Sequence, residues 1–397
     1  MVSQSKWLVW GGLVVLLVTW LGCADEWGSE SEESPAPIEL RGVWITNIDS
    51  DVLDSRESIA EAMAFLNEHN FNAVFPVVWN EAMTLYPSDV VEEVTGTRID
   101  PHYGDRDPLQ EVIEEAQRYD IAVIPWFEYG FAASHEADGG PILETHPEWA
   151  ARDRSGELLE KNGFEWMNAY HPEVQDFIID LVLEVVENYE VDGVQGDDRL
   201  PAQPVEGGYS SYTDSLYRAE HDGASPPSDY RDPDWMQWRA DWLTAFAERL
   251  YDDVKAVDDA LQVSWSPGIY SWSKEEYLQD WPAWMQAGVA DLMHPQVYRR
   301  DVEEYAAALA DQHPSAVGAP EAEQERMTPG VLMQVGDYRI DPDHLVDAVA
   351  LNRDEGYPGE VFFFYEGLRA NDDELAEVLL QTHYERPAEL PFERATE

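Results

Sequence analysis

The stretch Val191-Asp192-Gly193-Val194-Gln195-Gly196-Asp197-Asp198 decides the fold, because two carboxylates directly follow a short β-rich run. Seven further β-rich runs occur along the chain, and amphipathic helical stretches separate them. Buried strands that alternate with helices are typical of parallel sheets whose faces the helices cover. Eight strand–helix units match the (β/α)₈ barrel, so the sequence predicts an α/β fold with a single barrel domain.

The predicted elements begin just after residue 39. The strands are expected at residues 40–46, 73–79, 122–127, 191–196, 262–266, 291–298, 331–335 and 360–365. The helices are expected at residues 57–68, 108–119, 172–189, 235–257, 274–287, 302–312, 342–355 and 372–382. This order repeats strand, loop and helix through almost the whole body of the chain, as the barrel requires.

The composition fits one large folded domain. The chain has 397 residues, of which 44% are hydrophobic, and its aromatic residues are 16 Trp, 19 Tyr and 12 Phe. Intrinsic disorder is therefore excluded for most of the chain, because disordered segments combine high charge with low hydrophobicity.

The charge balance limits the partners. The chain carries 81 acidic against 24 basic side chains, a formal net charge of -57. Such a surface repels phosphate backbones and anionic lipid headgroups, so nucleic acid is not an expected partner. Only four of the basic residues are Lys, and the acidic excess is spread along the chain. This pattern favours a protein that folds in concentrated salt, where screening shortens self-repulsion; the alternative is an ordinary acidic secreted protein.

The N-terminus has the pattern of a targeting segment. An apolar run over residues 7–21 follows Lys6 and is too short to span a bilayer comfortably. It ends in Trp20-Leu21-Gly22-Cys23, which resembles the lipobox of bacterial lipoproteins, where the cysteine is lipidated. The alternative is an uncleaved anchor with an incidental cysteine. We expect a lipid anchor at Cys23, membrane attachment through it and a location in the cell envelope.

The domain organisation follows from these two patterns. A lipoprotein signal peptide is predicted over residues 1–22, and an acidic flexible tether rich in Asp, Glu, Ser and Pro over 23–38. The barrel is predicted over 39–385 and a C-terminal tail over 386–397.

Barrel active sites lie where the strands end, and carboxylates recur at these positions. Side-chain alternation along residues 194–198 directs Gln195 and Asp197 into the barrel. Asp197 is the first candidate for a nucleophile or electrostatic partner, and Asp198 is expected to support it. The alternative for this Asp pair is a helix cap or turn. Glu128 and Glu366 follow the third and eighth predicted strands and complete the catalytic candidates.

Amides and aromatic residues at the same strand ends suggest sugar binding. Paired carboxylates cleave glycosidic bonds, and aromatic rings suit the apolar faces of sugar rings. The residues predicted to bind substrate are Trp79, Asn80, Trp126, Gln195, His294, Gln296 and Tyr298. No Gly-rich phosphate loop or convincing metal-ligand spacing accompanies them, so neither a metal nor a cofactor is predicted.

Four ordered motifs resemble the bacterial glycosyl-hydrolase-like family 10 group. They are LRGVWIT at residues 40–46, VIPWFEYGF at 123–131, HPEVQ at 171–175 and VDGVQGDD at 191–198. The resemblance implies a (β/α)₈ barrel distantly related to the α-amylase class, glycosidase activity and a catalytic role for Asp197. Some members are envelope lipoproteins, and one cleaves peptidoglycan glycan strands stripped of their peptides.

The sequence departs from the family pattern beside Asp197. Gly196 stands where Phe is common, and Arg199 where an aromatic residue or His is frequent; we expect the smaller Gly196 to loosen the wall of the site. The leading hypothesis is a lipid-anchored glycoside hydrolase acting on peptide-free peptidoglycan strands. Two alternatives stay open: a hydrolase of an external or capsular polysaccharide, and a barrel that binds glycan without cleaving it.

Overall fold

A computed structural model describes residues 35–395 of the protein. Within this range, eight parallel strands occur in the predicted order. They are β1 (Leu40–Ile45), β2 (Ala73–Pro76), β3 (Ala122–Val123), β4 (Gly193–Gly196), β5 (Gln262–Trp265), β6 (Leu292–Met293), β7 (Gly330–Leu332) and β8 (Gly359–Phe363). The predicted signal peptide, most of the tether and the lipidation site Cys23 lie outside the described residues.

The strands pair in sequence order around a ring. One sheet has the order β7-β8-β1-β2-β3 and the other the order β6-β5-β4. Parallel bridges join the two sheets at both seams, from Trp126 to Gln195 and from Gln296 to Gly330. The backbone hydrogen bond from Phe127 N to the carbonyl of Gln195, 2.9 Å long, strengthens the first seam. The predicted (β/α)₈ barrel architecture is confirmed.

A helix follows each strand. These are α1 (Arg56–Glu68), α2 (Pro108–Ala116), α3 (Pro172–Asn188), α4 (Pro233–Val257), α5 (Trp281–Ala287), α6 (Val302–Gln312), α7 (Pro342–Asp354) and α8 (Tyr365–Thr382). In α3 the buried Val174, Ile178, Val182 and Val185 recur at spacings of three and four residues, which places them on one face against the strands. Pro172 begins this helix, where its missing N–H costs nothing.

Two predicted helices differ from the structure. Residues 274–287 form two helices, Trp272–Tyr277 and Trp281–Ala287, because Leu278 adopts a left-handed conformation that ends the first. The last helix starts earlier than predicted, and its residues 370–373 have non-helical backbone angles. Both differences depend on local backbone geometry, at Leu278 in the first case and at residues 370–373 in the second, which the apolar pattern does not record.

The connections between the barrel strands and helices contain further short elements. The additional strands are Trp79–Asn80, Met83–Thr84, Ala132–His135, Glu160–Lys161, Phe164–Trp166, Gln334–Val335 and Tyr338–Arg339. The additional α-helices are Asp89–Thr95, Gly140–Thr145, Ser211–Glu220, Trp272–Tyr277 and Pro314–Val317. Single 3₁₀ turns occur at Val52–Asp54, Pro101–Tyr103, Gln117–Tyr119, Pro147–Trp149 and Glu321–Arg326. No helix in residues 35–395 has the length and apolar character needed to cross a membrane.

A layer of side chains fills the barrel interior. Trp44 Nε1 on β1 donates to Gln195 Oε1 on β4 over 2.6 Å, and Gln195 Nε2 donates to Ser264 Oγ on β5 over 2.9 Å. The His294 ring lies 5.2 Å from the ring of Phe75 on β2. These contacts connect strands across the barrel, so the interior is a packed core that supports whatever lies above it.

The C-terminal segment packs against the end of the barrel at which the strands begin. Glu389 forms a parallel bridge with Ile38, just before β1. Arg394 donates to both oxygens of Asp192, at 2.7 and 3.0 Å, and Asp192 Oδ2 also accepts from the backbone N–H of Val123. The segment predicted as a tail therefore links β1 to the start of β4.

We expect Arg394→Ala to lower the free energy of unfolding by about 1–3 kcal/mol, because it removes the ion pair of a nearly buried carboxylate. Chemical denaturation of the full chain measures this effect. The control is Arg98→Ala, whose partner Asp89 is exposed and whose loss should cost less than about 1 kcal/mol. Equal stability of the Arg394 variant and the unchanged protein would contradict the role of the C-terminal segment.

Candidate active site

Three of the four predicted catalytic residues, Asp197, Glu128 and Asp198, line a cavity at the ends of β3 and β4. The cavity has a volume of about 160 Å³. It lies at the carboxyl ends of the parallel strands, where barrel enzymes hold their active sites. Its lining residues are Trp44, Trp126, Glu128, Asp197, Asp198, Arg199, Ser266, Gln296, Tyr298 and Phe363.

Asp197 is fixed in the floor of this cavity. Its side chain is 2% exposed and accepts hydrogen bonds from Trp126 Nε1 at 3.0 Å and from the backbone N–H of Arg199 at 2.9 Å. The Gln279 amide donates to its backbone carbonyl over 2.8 Å. Donors on both carboxylate oxygens hold the side chain in one orientation, as a nucleophile or base requires.

Glu128 lies beside Asp197 and is nearer to solvent. Its side chain is 18% exposed. Asn80 Nδ2 donates to its Oε2 over 3.1 Å, and Arg199 Nη2 donates to its Oε1 over 3.0 Å. The Arg199 Nε also donates to the backbone carbonyl of Glu128 over 2.9 Å. The carboxyl group is therefore oriented by one neutral and one charged donor.

The Arg199 guanidinium is shared by three carboxylates. Besides Glu128, it approaches Asp197 Oδ2 at 3.8 Å and Asp198 Oδ1 at 3.4 Å, and it lies over the Phe164 ring. An arginine remains charged in proteins, so it offsets one negative charge of the possible three. Ionising all three acids in this enclosed site would leave like charges uncompensated, which favours retention of a proton.

The pKa values of the two buried acids follow this balance. Burial raises the pKa of Glu128 to about 7, against the opposing charge of Arg199. Burial and the charge of Asp198 raise the pKa of Asp197 well above its ordinary range, while Arg199 and its backbone N–H oppose the rise. Because the two groups interact, the pair holds a proton near neutral pH that belongs to both.

The separation of the two carboxylates has an upper bound. One atom, Arg199 Nη2, lies 3.0 Å from Glu128 Oε1 and 3.8 Å from Asp197 Oδ2, so these oxygens are no further apart than the sum. Paired carboxylates in glycosidases stand about 5–5.5 Å apart in retaining enzymes and about 6.5–9.5 Å apart in inverting enzymes. The bound is consistent with the retaining spacing and excludes most of the inverting range for these two oxygens.

Aromatic rings form the walls of the cavity. Tyr298 lies 5.6 Å from Phe363, and Trp44 lies 6.2 Å from Phe363 and 6.4 Å from Trp126, measured between ring centroids. Burial and the charges of Asp198, Asp197 and Glu128 raise the pKa of Tyr298. Its hydroxyl therefore stays protonated and is available as a hydrogen-bond donor.

Most predicted site residues meet at this cavity. Six of them line it: Asp197, Glu128, Asp198, Trp126, Gln296 and Tyr298. Asn80 contacts Glu128 directly, and Gln296 Nε2 donates to the backbone carbonyl of Ser266 over 3.0 Å. Asp197 lines the cavity, and so does Asp198, although alternation along the strand predicts opposite faces for the two.

Three residues predicted to bind substrate do not line the cavity. Gln195 is fully buried, with its amide occupied by Trp44 and Ser264. His294 is fully buried between Trp44 and Phe75, and burial lowers its pKa to about 3. Trp79 is fully buried and donates to the carbonyl of Gly130. They do not face the cavity, because these positions contribute to the packed interior.

Glu366 lies in a neighbouring groove. Its Oε1 accepts a hydrogen bond from Ser50 Oγ at 2.9 Å. The groove has a volume of about 540 Å³, and it is also lined by Asp49, Asp51 and Glu81. Helix α8 begins at residue 365, which directs Glu366 toward the loop after β1 and away from Asp197.

Four lining residues are absent from the predicted set: Trp44, Arg199, Ser266 and Phe363. Ser266 and Arg199 follow the ends of β5 and β4, so their positions alone could have indicated them. Trp44 and Phe363 lie within strands, where alternation is the available signal. Gly196 does not loosen the wall as expected, since a Cβ there would lie 2.7 Å from Trp265 Cζ3 and 2.5 Å from the carbonyl of Leu200.

In the described part of the chain, no cluster of three or more His, Cys, Asp or Glu residues could hold a metal ion.

A family model described as glycosyl hydrolase-like 10 matches residues 39–358. The chain belongs to this family. It is a glycoside hydrolase, as are the curated relatives it resembles.

Two relatives illustrate the likeness. The glycosyl hydrolase YngK of Bacillus subtilis (strain 168) is 25% identical over 396 residues, which covers 89% of this chain and 73% of YngK. The glycosyl hydrolase DigH of Escherichia coli (strain K12) is 24% identical over 311 residues, which covers 68% of this chain and 67% of DigH.

Solved structures show the same fold. The glycoside hydrolase domain of PgaB (BpsB) from Bordetella bronchiseptica aligns with a TM-score of 0.64 and 14% identity. The alignment covers 87% of this chain and 99% of that chain. The alpha-L-fucosidase isoenzyme 2 of Paenibacillus thiaminolyticus aligns with a TM-score of 0.61 and 17% identity, covering 85% of this chain and 48% of that chain.

Replacing Glu128 with Gln should change how stability depends on pH. A carboxyl group with a pKa near 7 in the folded protein and about 4.5 when unfolded stabilises the fold below pH 4.5. That contribution is lost as the pH rises through about 7, because the unfolded chain then ionises more readily. Relative to Glu128→Gln, the free energy of unfolding of the unchanged protein should fall by up to about 3 kcal/mol as the pH rises from about 4.5 to above 7.

Urea unfolding of both proteins at pH 4.5 and 7.5 measures this difference. Glu93→Gln is the matched control, because Glu93 is an exposed residue of the helix Asp89–Thr95. A constant stability difference between the Glu128 variant and the unchanged protein across this range would contradict the raised pKa.

Proposed function

We propose that this glycoside hydrolase cleaves peptide-free glycan strands of peptidoglycan and is held in the cell envelope by a lipid on Cys23. The observation that carries the catalytic part is the pair Asp197 and Glu128, enclosed by aromatic walls and oriented by Arg199. Acid–base pairs of this kind, with one group protonated and one ionised, are what glycosidic cleavage requires.

Glu128 is the proposed general acid. Its pKa of about 7 lies near the expected working pH, where a group both holds a proton and releases it readily. It is also the more accessible of the two carboxyl groups, so it can exchange a proton with solvent after each turnover. It would protonate the glycosidic oxygen as the bond to the leaving sugar breaks.

Asp197 is the proposed nucleophile or base. Two N–H groups donate to its carboxylate. Burial and the charge of Asp198 nevertheless raise its pKa, so this role requires that Glu128 carry the shared proton. The charge on Asp197 would stabilise the positive charge that develops on the sugar ring. Asp198 is about one-third exposed and lies against Arg199, so it helps to hold the guanidinium in place.

Charge supports a peptide-free strand as the substrate. The groove beside the cavity is lined by Asp49, Asp51, Asp54, Glu81 and Glu366. Acidic stem peptides would be repelled by these side chains, and a glycan without them would be repelled less strongly. The family resemblance points to the same substrate.

Membrane attachment is supported by the lipobox-like sequence that ends in Cys23. Residue 38 enters the barrel at the amino end of β1, whereas the cavity lies at the carboxyl ends of the strands. In a chain attached through its N-terminus, the tether would therefore join the barrel at the end opposite the cavity.

Asp197→Asn tests the proposed chemistry with little change of shape. The full chain is incubated with purified peptide-free glycan strands, in molar NaCl because of its large negative charge. It should release saccharides that mass spectrometry detects. The variant should be slower by about a thousandfold or more, because it lacks the charge that the reaction uses. Asp89→Asn, a change at an exposed helix residue, is the control and should keep full activity.

Equal activity of the Asp197 variant and the unchanged protein would contradict the mechanism. Release of saccharides from a capsular polysaccharide, and none from glycan strands, would contradict the substrate. Glycan binding with no turnover on any polymer would indicate a binding barrel.

A further inference from the structure

An exposed tryptophan stands on the same end of the barrel as the cavity. Among the described residues, the large apolar side chains that remain exposed are Ile38, Ile48, Val257, Trp272 and Val335. Single exposed apolar residues are common on protein surfaces and need no explanation by themselves. Trp272 differs in the contacts that hold its ring and in its position.

Packing contacts hold the indole ring of Trp272 in place. Trp272 begins the helix Trp272–Tyr277 and is 47% exposed. A Cβ at Gly268 would lie 2.9 Å from Trp272 Cζ3, so the ring packs directly on the backbone of this glycine. The Tyr277 ring contacts it as well, with the centroids 5.5 Å apart. Nearly half of the side chain therefore faces solvent while the rest is packed.

The position connects Trp272 with the catalytic cavity. Ser266 lines the cavity, and Gly268 follows two residues later, a span of at most about 7 Å. Burial and then the charge of Asp198 raise the pKa of Tyr277 to about 12, so the tyrosine lies within electrostatic range of a carboxylate that lines the cavity. Both residues that support the indole ring therefore adjoin the active site.

The segment is also attached to the catalytic loop. Gln279, just after the helix Trp272–Tyr277, donates from Nε2 to the backbone carbonyl of Asp197 over 2.8 Å and to that of Pro201 over 3.2 Å. The backbone N–H of Gln203 donates to the carbonyl of Tyr277 over 3.1 Å. The position of Trp272 is therefore fixed relative to Asp197.

We propose that Trp272 is a binding platform for a glycan chain, on which a sugar unit beyond the one at Asp197 stacks. The indole offers a flat apolar face at low conformational cost, which suits the C–H face of a pyranose ring. The cavity itself, at about 160 Å³, is small, so a longer chain must continue outside it. The inference rests on the proposed function in taking a glycan chain as the ligand.

Binding to an inactive protein tests the platform separately from catalysis. The full chain with Asp197→Asn is titrated by calorimetry with peptide-free peptidoglycan glycan strands and with the disaccharide unit of the same strands. Adding Trp272→Ala should weaken binding of the strands by about tenfold and leave the disaccharide unaffected. Trp272→Phe should restore binding of the strands to within about threefold, because it keeps an aromatic face.

Val257→Ala is the matched control, since Val257 is exposed at the end of α4 and lies far along the barrel from the cavity. It should bind strands like the parent protein. Thermal unfolding of each variant identifies any loss of binding that arises from loss of structure.

The outcomes separate this inference from the proposed function. Equal affinity of the Trp272→Ala and parent proteins for strands overturns the platform, as does an equal loss for strands and disaccharide. Failure of the parent to bind strands also overturns it. If strands bind in a Trp272-dependent way while the active protein releases no saccharide from them, the platform stands and the proposed hydrolysis fails.

Discussion

The site depends on one guanidinium that is shared by three carboxylates. Arg199 holds Glu128 through its side chain and its backbone carbonyl, and it approaches Asp197 and Asp198 in the same pocket. A single positive charge cannot balance three negative ones in an enclosed site, so the acids retain a proton. The cavity walls limit the solvation that would otherwise release it. Acid chemistry near neutral pH follows from this shortage of positive charge.

Much of the fold was predictable from local patterns, because buried parallel strands are short apolar runs and their order fixes the barrel. Asp197 was predictable for the same reason, since alternation from Val194 directs it inward. The depth of each residue was not predictable. The run at 291–298 contains a strand of only two residues, Leu292–Met293, so His294 packs into the core and Gln296 reaches the cavity. Arg199 gains its role from Glu128, which is distant in sequence.

The surface charge acts differently in different places. Most of the acidic residues lie on solvated faces, where salt screens them. Those in the groove beside the cavity, such as Asp49 and Glu366, would disfavour acidic substituents on a chain that extended into the groove. Asp197 is buried and Glu128 mostly so, and burial raises the pKa of both carboxyl groups. Their position at the cavity beside Arg199 distinguishes them from other buried acids such as Glu360.

The most direct test of the shared proton is the pH dependence of kcat/KM for release of saccharides from glycan strands. This quantity reports the ionisation of the free enzyme. Loss of the proton from Glu128 should make the rate fall as the pH rises through about 7, and Glu128→Gln should retain only a low rate without that fall. The same fall in the Glu128→Gln protein, or an undiminished rate, would contradict the assignment of the proton to this pair.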